Sequence, residues 1–133
     1  MATVTFTGNL AADPEVVRVH SGREVTRMRI IENRRRLNRE TGQWEDAEPN
    51  VWRVQAWDGL GANAAASLST GMSVDVVGHV VTDRWPDKET GHERTGQTVV
   101  ADKIGPSLTW QRAQVTKAPK ASPAASTPEG AQG

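Results

Sequence analysis

Tryptophan and arginine are the residues of this chain whose types and spacing best suit ligand binding. The sequence has five Trp, one Phe and no Tyr, and two of the Trp lie in the segment VWRVQAW at 51–57. An indole ring can stack on another flat ring, and a guanidinium group can pair with a phosphate. Their combination on one surface is typical of proteins that bind single-stranded nucleic acid.

The spacing within 51–57 separates its two rings. Trp52 and Trp57 are five positions apart, so a regular strand directs them to opposite faces. Trp52 shares its face with small apolar side chains, and we predict that it packs in a core or a subunit contact. Trp57 shares its face with Arg53 and Gln55, which are poor core residues. We therefore predict that Trp57 stacks on a nucleobase.

A second candidate for stacking is Trp85. Alternation along the strand-like segment 73–85 places its ring on the same side as Asp83, with Arg84 beside it. We predict that Trp85 also faces outward and stacks on a base. The pattern assigns no role to Trp44 or Trp110.

The arginines are concentrated in one segment. The formal net charge is zero, but RMRIIENRRRLNR at 27–39 has six Arg and one Glu, a local excess of +5. A local field of one sign matters more for binding than the total charge, although such a run can also be a solvated loop. The predicted phosphate contacts are Arg27, Arg29, Arg34, Arg35, Arg36, Arg39, Arg53, Arg84 and Lys88.

Catalytic and metal-binding patterns are absent from the sequence. There is no Cys, and His20, His79 and His92 lack the spacing of metal ligands. There is no Gly-rich phosphate loop and no nucleophile elbow. We expect no enzyme activity, no metal, no cofactor and no small-molecule substrate. The lack of Cys, of a signal segment and of a membrane-spanning run predicts a cytoplasmic protein with no membrane partner.

These side chains are carried by a chain that is mostly β-strand in pattern. Six segments rich in Val, Thr and Trp and bounded by Gly, Asp or Pro are predicted as strands, at 3–8, 25–33, 51–57, 73–85, 96–104 and 107–115. The Ala-rich segment 59–71 predicts the single helix, ending at Gly71. Many strands with one short helix indicate a small closed barrel, an all-β fold. The Ala-, Pro- and Ser-rich segment 116–133 predicts a disordered tail.

Two short segments are near-repeats of each other. RETGQW at 39–44 and KETGHE at 88–93 each lie between strand-like runs, and each has a Gly that can adopt the positive φ of a hairpin turn. We predict two hairpin tips. They could form arms around an extended ligand or be ordinary solvent-facing turns.

Several segments resemble bacterial single-stranded DNA-binding proteins. They occur in the order seen in that family, namely GNLAADPEV (8–16), TGQW (41–44), VWRVQAWDGLGANAAASLSTG (51–71), SVDVVGHV (73–80) and DRWPDKETG (83–91). The resemblance covers about residues 3–115. The ending IGPSLTWQRAQV at 104–115 is similar to the actinobacterial branch, in which an extra C-terminal strand clamps neighbouring subunits.

The resemblance implies a fold and a function. The fold is a five-stranded OB-fold barrel over 1–115, with one short helix between strands 3 and 4 and the extra C-terminal strand. The function is sequence-independent binding of single-stranded DNA by a homotetramer, in replication, recombination and repair, near the nucleoid. The family's stacking positions correspond to Trp57 and Trp85.

The chain also departs from the family pattern. Val51 and Arg36 stand where the family often has stacking rings, which implies weaker stacking and a larger electrostatic share. The segment STPEGAQG lacks the acidic, apolar tip that recruits replication and repair enzymes, and this indicates an accessory paralogue. An alternative function is an OB-fold subunit that joins a primosome-like or repair complex through protein contacts, with weak affinity for nucleic acid. RNA is a third possible ligand.

Overall fold

The structure, a computed structural model, describes residues 2–119. Its elements in chain order are β1 Thr3–Leu10, β2 Glu15–Arg18, β3 Glu24–Leu37, β4 Trp44–Trp57, α1 Asp58–Ser67, β5 Ser73–Pro86 and β6 Glu93–Pro106. The ten-residue α1 is too short to cross a membrane, and the described part of the chain has no longer helix.

Five long strands form a closed barrel. The sheet runs β1-β5-β6-β4-β3, and β3 closes it by pairing with β1 through Asn9↔Ile31 and Leu10↔Ile30. The β4–β6 pair is parallel and the other pairs are antiparallel. The helix lies between the third and fourth barrel strands. The predicted five-stranded barrel with one helix at this point of the chain is therefore confirmed.

Residues 107–115, predicted as a strand that clamps a neighbouring subunit, form no strand within the single chain. The additional strand is β2, which pairs along the outside of β3 between Glu15↔Arg27 and Arg18↔Glu24. After β6, residues 107–119 form neither helix nor strand. Ser107 N still donates to the Ser73 carbonyl at 2.9 Å, so the segment leaves the barrel at a defined point. A strand needs a neighbouring strand for its backbone hydrogen bonds, and the single chain offers none to this segment.

The barrel interior is filled by alternate residues of the strands. The largest fully buried aliphatic side chains are Val25, Ile30, Val54, Val74, Val76 and Val99. Each directly follows a charged or polar residue on its strand, as expected where alternate side chains point into the core. Beside this core, α1 covers one end of the barrel through Ala64, with Leu68 buried just after its last turn. The helix ends at Ser67 rather than at the predicted Gly71, whose φ of +88° belongs to the turn before β5.

Both predicted hairpins are present and have the same internal structure. Gly42 and Gly91 each have a φ of +73°, which favours glycine. Asn38 in the first loop and Asp87 in the second accept hydrogen bonds from the backbone N–H groups two and three residues ahead, at 2.8–3.3 Å. The β3–β4 arm and the β5–β6 arm, as we call the two hairpins, extend beyond the barrel. The part of the predicted tail beyond residue 119 lies outside the described residues.

Candidate nucleic-acid interface

The register of β3 with β4 decides which side chains share the outer face of the barrel. Arg29 lies opposite Arg53, and Arg27 lies opposite Gln55. Residues that are directly opposite on neighbouring strands point to the same face. The three arginines therefore form one patch, and Trp57 follows two positions beyond Gln55 on the same face.

The face continues across β6 onto β5, where it contains Trp85. On β6, Gly96 has no side chain, and the Trp85 ring and the Arg53 guanidinium occupy the space above it. A Cβ at Gly96 would lie 2.5 Å from Arg53 Nη2 and 2.8 Å from the Trp85 ring. Arg53 Cζ is 5.8 Å from the centroid of that ring, within cation–π range.

We call this surface the Trp57–Trp85 face and define it by Trp57, Gln55, Arg53, Arg27, Arg29 and Trp85. Arg53 and Trp57 are four residues apart on β4, a distance of about 13 Å along a strand. An open cleft of about 570 Å³ on this face is lined in part by Arg27, Arg29, Arg53 and Gln55, and neither tryptophan lines it. Trp57 lies two positions beyond Gln55, and the Trp85 ring contacts Arg53, so each ring adjoins a residue that lines the cleft.

The three arginines of the cleft have no ion pair among residues 2–119, unlike several predicted phosphate contacts on the arms. Arg36 Nε is 3.3 Å from Glu45 Oε1 across the β3–β4 arm. Arg84 Nη1 is at the same distance from Glu93 Oε1 across the β5–β6 arm. The positive run seen in the sequence is therefore partly neutralised on the arms, whereas its members Arg27 and Arg29 have no ion pair in the described residues.

The remaining predicted phosphate contacts are also on the arms. Arg35 donates from Nη2 to the Trp44 carbonyl at 3.0 Å and lies 3.9 Å from Asp46. Within the described chain, Arg34, Arg39 and Lys88 have no ion pair. The structure thus places the predicted cations in one cleft and two arms rather than in a single cluster.

Three acidic side chains line the cleft, and two of them, Asp13 and Asp83, have hydrogen-bond partners of their own, whereas Glu15 has no ion pair in the described residues. Asp13 accepts hydrogen bonds from the backbone N–H and the hydroxyl of Thr70, both at 2.8 Å, and these hold the pKa of its carboxyl below the usual value. Asp83 accepts a 2.8 Å hydrogen bond from the Thr98 hydroxyl. These two carboxylates are held by neighbouring hydroxyl groups and form no ion pair with the cleft arginines in the described residues.

Trp52 and Trp57 differ as alternation along β4 predicted. Trp52 packs against the core, with its ring stacked on Phe6 at a centroid distance of 4.6 Å. Its Nε1 donates to Glu32 Oε1 at 3.0 Å. Trp57 is half-buried on the outer face, and one side of its ring is covered by the Arg23 guanidinium.

Sequence analysis missed Arg23. It lies two positions before Val25, which pairs with Trp57, so the alternation used for Arg27 and Arg29 could have been extended to it. It also left Trp44 and Trp110 unassigned, and both are highly exposed. Trp44 lies opposite Leu37 on the β3–β4 arm, and Trp110 lies in the segment that follows β6.

Comparison with known proteins identifies the family. The model of the single-strand binding protein family matches residues 1–107. The chain belongs to this family. Its relatives include the single-stranded DNA-binding protein of Corynebacterium glutamicum, 40% identical over 88% of this chain and 52% of that protein. Single-stranded DNA-binding protein 1 of Tropheryma whipplei is 39% identical over 90% of this chain and 64% of that protein.

A solved structure has a similar fold. The small single-stranded DNA-binding protein from Streptomyces coelicolor superposes with a TM-score of 0.65 at 30% identity, covering 80% of this chain and 94% of that one. The barrel is thus an OB-fold of this family. The chain spans about half to two thirds of the length of the two curated relatives.

Proposed function

We propose that this protein binds single-stranded DNA without sequence preference. The observation that carries the proposal is the Trp57–Trp85 face, where three arginines without an ion pair in the described chain line a cleft, and both tryptophans lie beside residues of its lining. Membership of the single-strand binding protein family supports it, as do the names of the relatives.

The face would bind the polymer through two kinds of contact. Bases stack on Trp57 and Trp85, and every base has a flat face, so stacking tolerates any sequence. Arg27, Arg29 and Arg53 pair with phosphates, a contribution that weakens as salt displaces it.

We also propose that the protein acts as a homotetramer in replication, recombination and repair. The segment after β6 supports a subunit contact, because Leu108 and Trp110 are 64% and 93% exposed in the single chain. Contiguous exposed apolar side chains mark protein interaction sites, and these two lie only two positions apart. The cellular processes are inferred from the family.

Fluorescence titration with oligo(dT) at two salt concentrations tests the binding function. We expect Trp57→Ala and Trp85→Ala each to weaken binding by about 1–3 kcal/mol, the usual contribution of one stacking aromatic. Trp57→Phe keeps a flat ring and should retain most of the affinity. A parallel titration with oligo(rU) measures the preference between DNA and RNA.

A second candidate function has one observation in its favour. Cross-strand pairing of Arg36 with Glu45 and of Arg84 with Glu93 lowers the positive charge that the arms offer to a polyanion. This fits a protein-interaction subunit of a primosome-like or repair complex with weak affinity for nucleic acid. Failure of the wild-type protein to bind oligo(dT) or oligo(rU) at low salt would support this candidate and contradict the first.

A further inference from the structure

One side of the Trp57 ring is held by a charged pair that belongs to other elements. The Arg23 guanidinium carbon lies 4.5 Å from the ring centroid, a cation–π contact. The same guanidinium donates from Nε and Nη2 to Asp58 Oδ2 at 3.1 and 2.7 Å. Asp58 thus fixes the plane of the guanidinium, and the guanidinium lies against the ring.

The backbone at Asp58 has an unusual conformation. With a φ of +52°, it is the one non-glycine residue with positive φ among residues 2–119. Asp and Asn tolerate this region better than other residues with a side chain, but it still has an energetic cost. The turn from β4 into α1 is therefore strained at the residue that holds Arg23. The Arg23 hydrogen bonds also keep the pKa of the Asp58 carboxyl below its usual value, so it is ionised at neutral pH.

We propose that Arg23 and Asp58 are positioning residues that hold the Trp57 ring ready to stack on a base. This inference rests on the proposed binding function. With one face covered by Arg23, the ring has only its other face and its edge available to a ligand. A ring that is already oriented loses less conformational freedom when a base stacks on it, so affinity rises without a new contact to DNA.

The proposal makes a prediction opposite to that of simple electrostatics. DNA is a polyanion, so removing a carboxylate near its path should strengthen binding. Asp58→Asn removes that charge while keeping a residue that tolerates positive φ. If Asp58 acts by holding Arg23 on Trp57, the same change weakens binding.

The neighbouring pair Arg18–Glu24 provides matched controls. It is an exposed ion pair with an N···O distance of 3.2 Å, and neither side chain is in cation–π contact with an aromatic ring of the described chain. We expect Asp58→Asn and Arg23→Ala each to weaken oligo(dT) binding about two- to five-fold, the effect of one exposed cation–π contact. Glu24→Gln should leave the affinity unchanged or raise it slightly. Arg18→Ala should reduce the affinity for oligo(dT) only by the small effect of removing one positive charge distant from the ring.

A double-mutant cycle separates positioning from direct contact with DNA. If Arg23 acts through the ring, Arg23→Ala should have no further effect in a Trp57→Ala background. An equal loss in both backgrounds would mean that Arg23 contacts phosphate itself, and the proposal would be wrong. Tighter binding by Asp58→Asn or Arg23→Ala would also overturn it, because the pair would then be competing with the base.

A measurement on the protein without DNA tests the positioning of Trp57 separately from the proposed binding function. The indole N–H resonance of Trp57 can be assigned by its loss in Trp57→Phe. We expect Arg23→Ala and Asp58→Asn to shift and broaden this resonance, and Glu24→Gln to leave it in place. An unmoved resonance would refute positioning whether or not DNA binds. A moved resonance without oligo(dT) binding would support the contact and contradict only the proposed function.

Discussion

The roles of Trp52 and Trp57 on β4 depend on the group that each ring contacts. The Trp52 ring stacks on Phe6, and its N–H donates to a carboxylate, so both its apolar body and its polar edge are satisfied within the protein. The Trp57 ring contacts a guanidinium on one side only. A ring whose contacts all lie within the protein stabilises the fold, whereas a ring with one side uncovered has surface left for a ligand.

At this scale Trp52→Ala should destabilise the protein. Truncating a buried Trp or Phe costs about 3–5 kcal/mol, and Trp52 is half-buried, so we expect about 2–3 kcal/mol. Trp57→Ala is the control and should change the free energy of unfolding by less. Thermal or urea unfolding measures both. If Trp52→Ala unfolds normally but binds oligo(dT) weakly, the assignment of faces on β4 is reversed.

Glu32 gives a pH dependence of stability. Hydrogen bonds from Asn50 and Trp52 hold its pKa below the ordinary value of 4.5. Because the folded-state pKa is lower than the unfolded one, this stabilisation is present above about pH 4.5 and is lost as pH falls through the folded-state pKa.

We therefore expect Glu32→Gln to lower the melting temperature at pH 7, with a smaller difference from wild type below pH 4. Glu48→Gln, which changes an exposed carboxylate on the same arm, should show no such convergence. Melting curves across pH 3–7 measure the difference in melting temperature between each variant and the wild type. A constant difference across that range would contradict the role of the ionised carboxylate.

At the scale of elements, the strands redistribute charge that is clustered in the sequence. The return strand of the β3–β4 arm brings Glu45 and Asp46 opposite Arg36 and Arg35. In the barrel itself, β4 instead places Arg53 opposite Arg29. Like charges directly opposite each other destabilise a sheet. The Arg29–Arg53 repulsion therefore lowers the stability of the sheet, but it also keeps two positive charges together on a face that would bind a polyanion.

The salt dependence of binding should therefore depend on the cleft more than on the arm. Each phosphate contact on a single strand contributes about 0.7 to the slope of log K against log salt. We expect alanine at Arg27, Arg29 and Arg53 to lower that slope by about 2. The matched triple of Arg34, Arg35 and Arg36 should lower it by less, because two of those arginines are near carboxylates.

Stability provides a second measurement of the same variants. Arg29→Ala relieves a like-charge pair and should leave the melting temperature unchanged or raise it. A larger slope change from the arm triple than from the cleft triple would reverse the assignment of the main phosphate site.

At the scale of the whole molecule, the segment after β6 is suited to contact another subunit. Leu108, Trp110 and Val115 are exposed, and the backbone from 107 to 119 is in neither helix nor strand. The Gln111 side chain donates to the Ser73 carbonyl at 2.6 Å, which holds the start of the segment against the barrel. The rest is free to pair with a neighbouring chain.

We expect a tetramer in solution that is loosened by removing residues 108–133. That truncation keeps β6 and the bond from Ser107 to Ser73. Removing 120–133 is the control and should leave the assembly intact. Leu108→Ser with Trp110→Ser tests the same contact without shortening the chain. Light scattering gives the mass, and a stable monomer of the full chain would contradict the prediction.

The sequence by itself determined the barrel strands, the single helix and the faces of β4. These features depend on short-range signals. Alternation along a strand assigns Trp52 inward and Trp57 outward, and a Gly at the same place in two loops predicts two similar hairpins. The strand predicted at 107–115 does not form within the single chain because pairing needs a partner strand, and the single chain supplies none there.

Only the tertiary structure decided which groups meet on the outer face. Arg23 and Trp57 are 34 positions apart, and their contact depends on the register of β3 with β4. Arg53 reaches Trp85 because Gly96, on the strand between them, leaves space for both. The balance of charge also came from the fold, because cross-strand neighbours neutralise arginines on the arms and leave those in the cleft without an ion pair in the described residues. The contacts of Trp57 with Arg23 and of Trp85 with Arg53 join distant parts of the chain through strand pairing, and no local pattern specifies them.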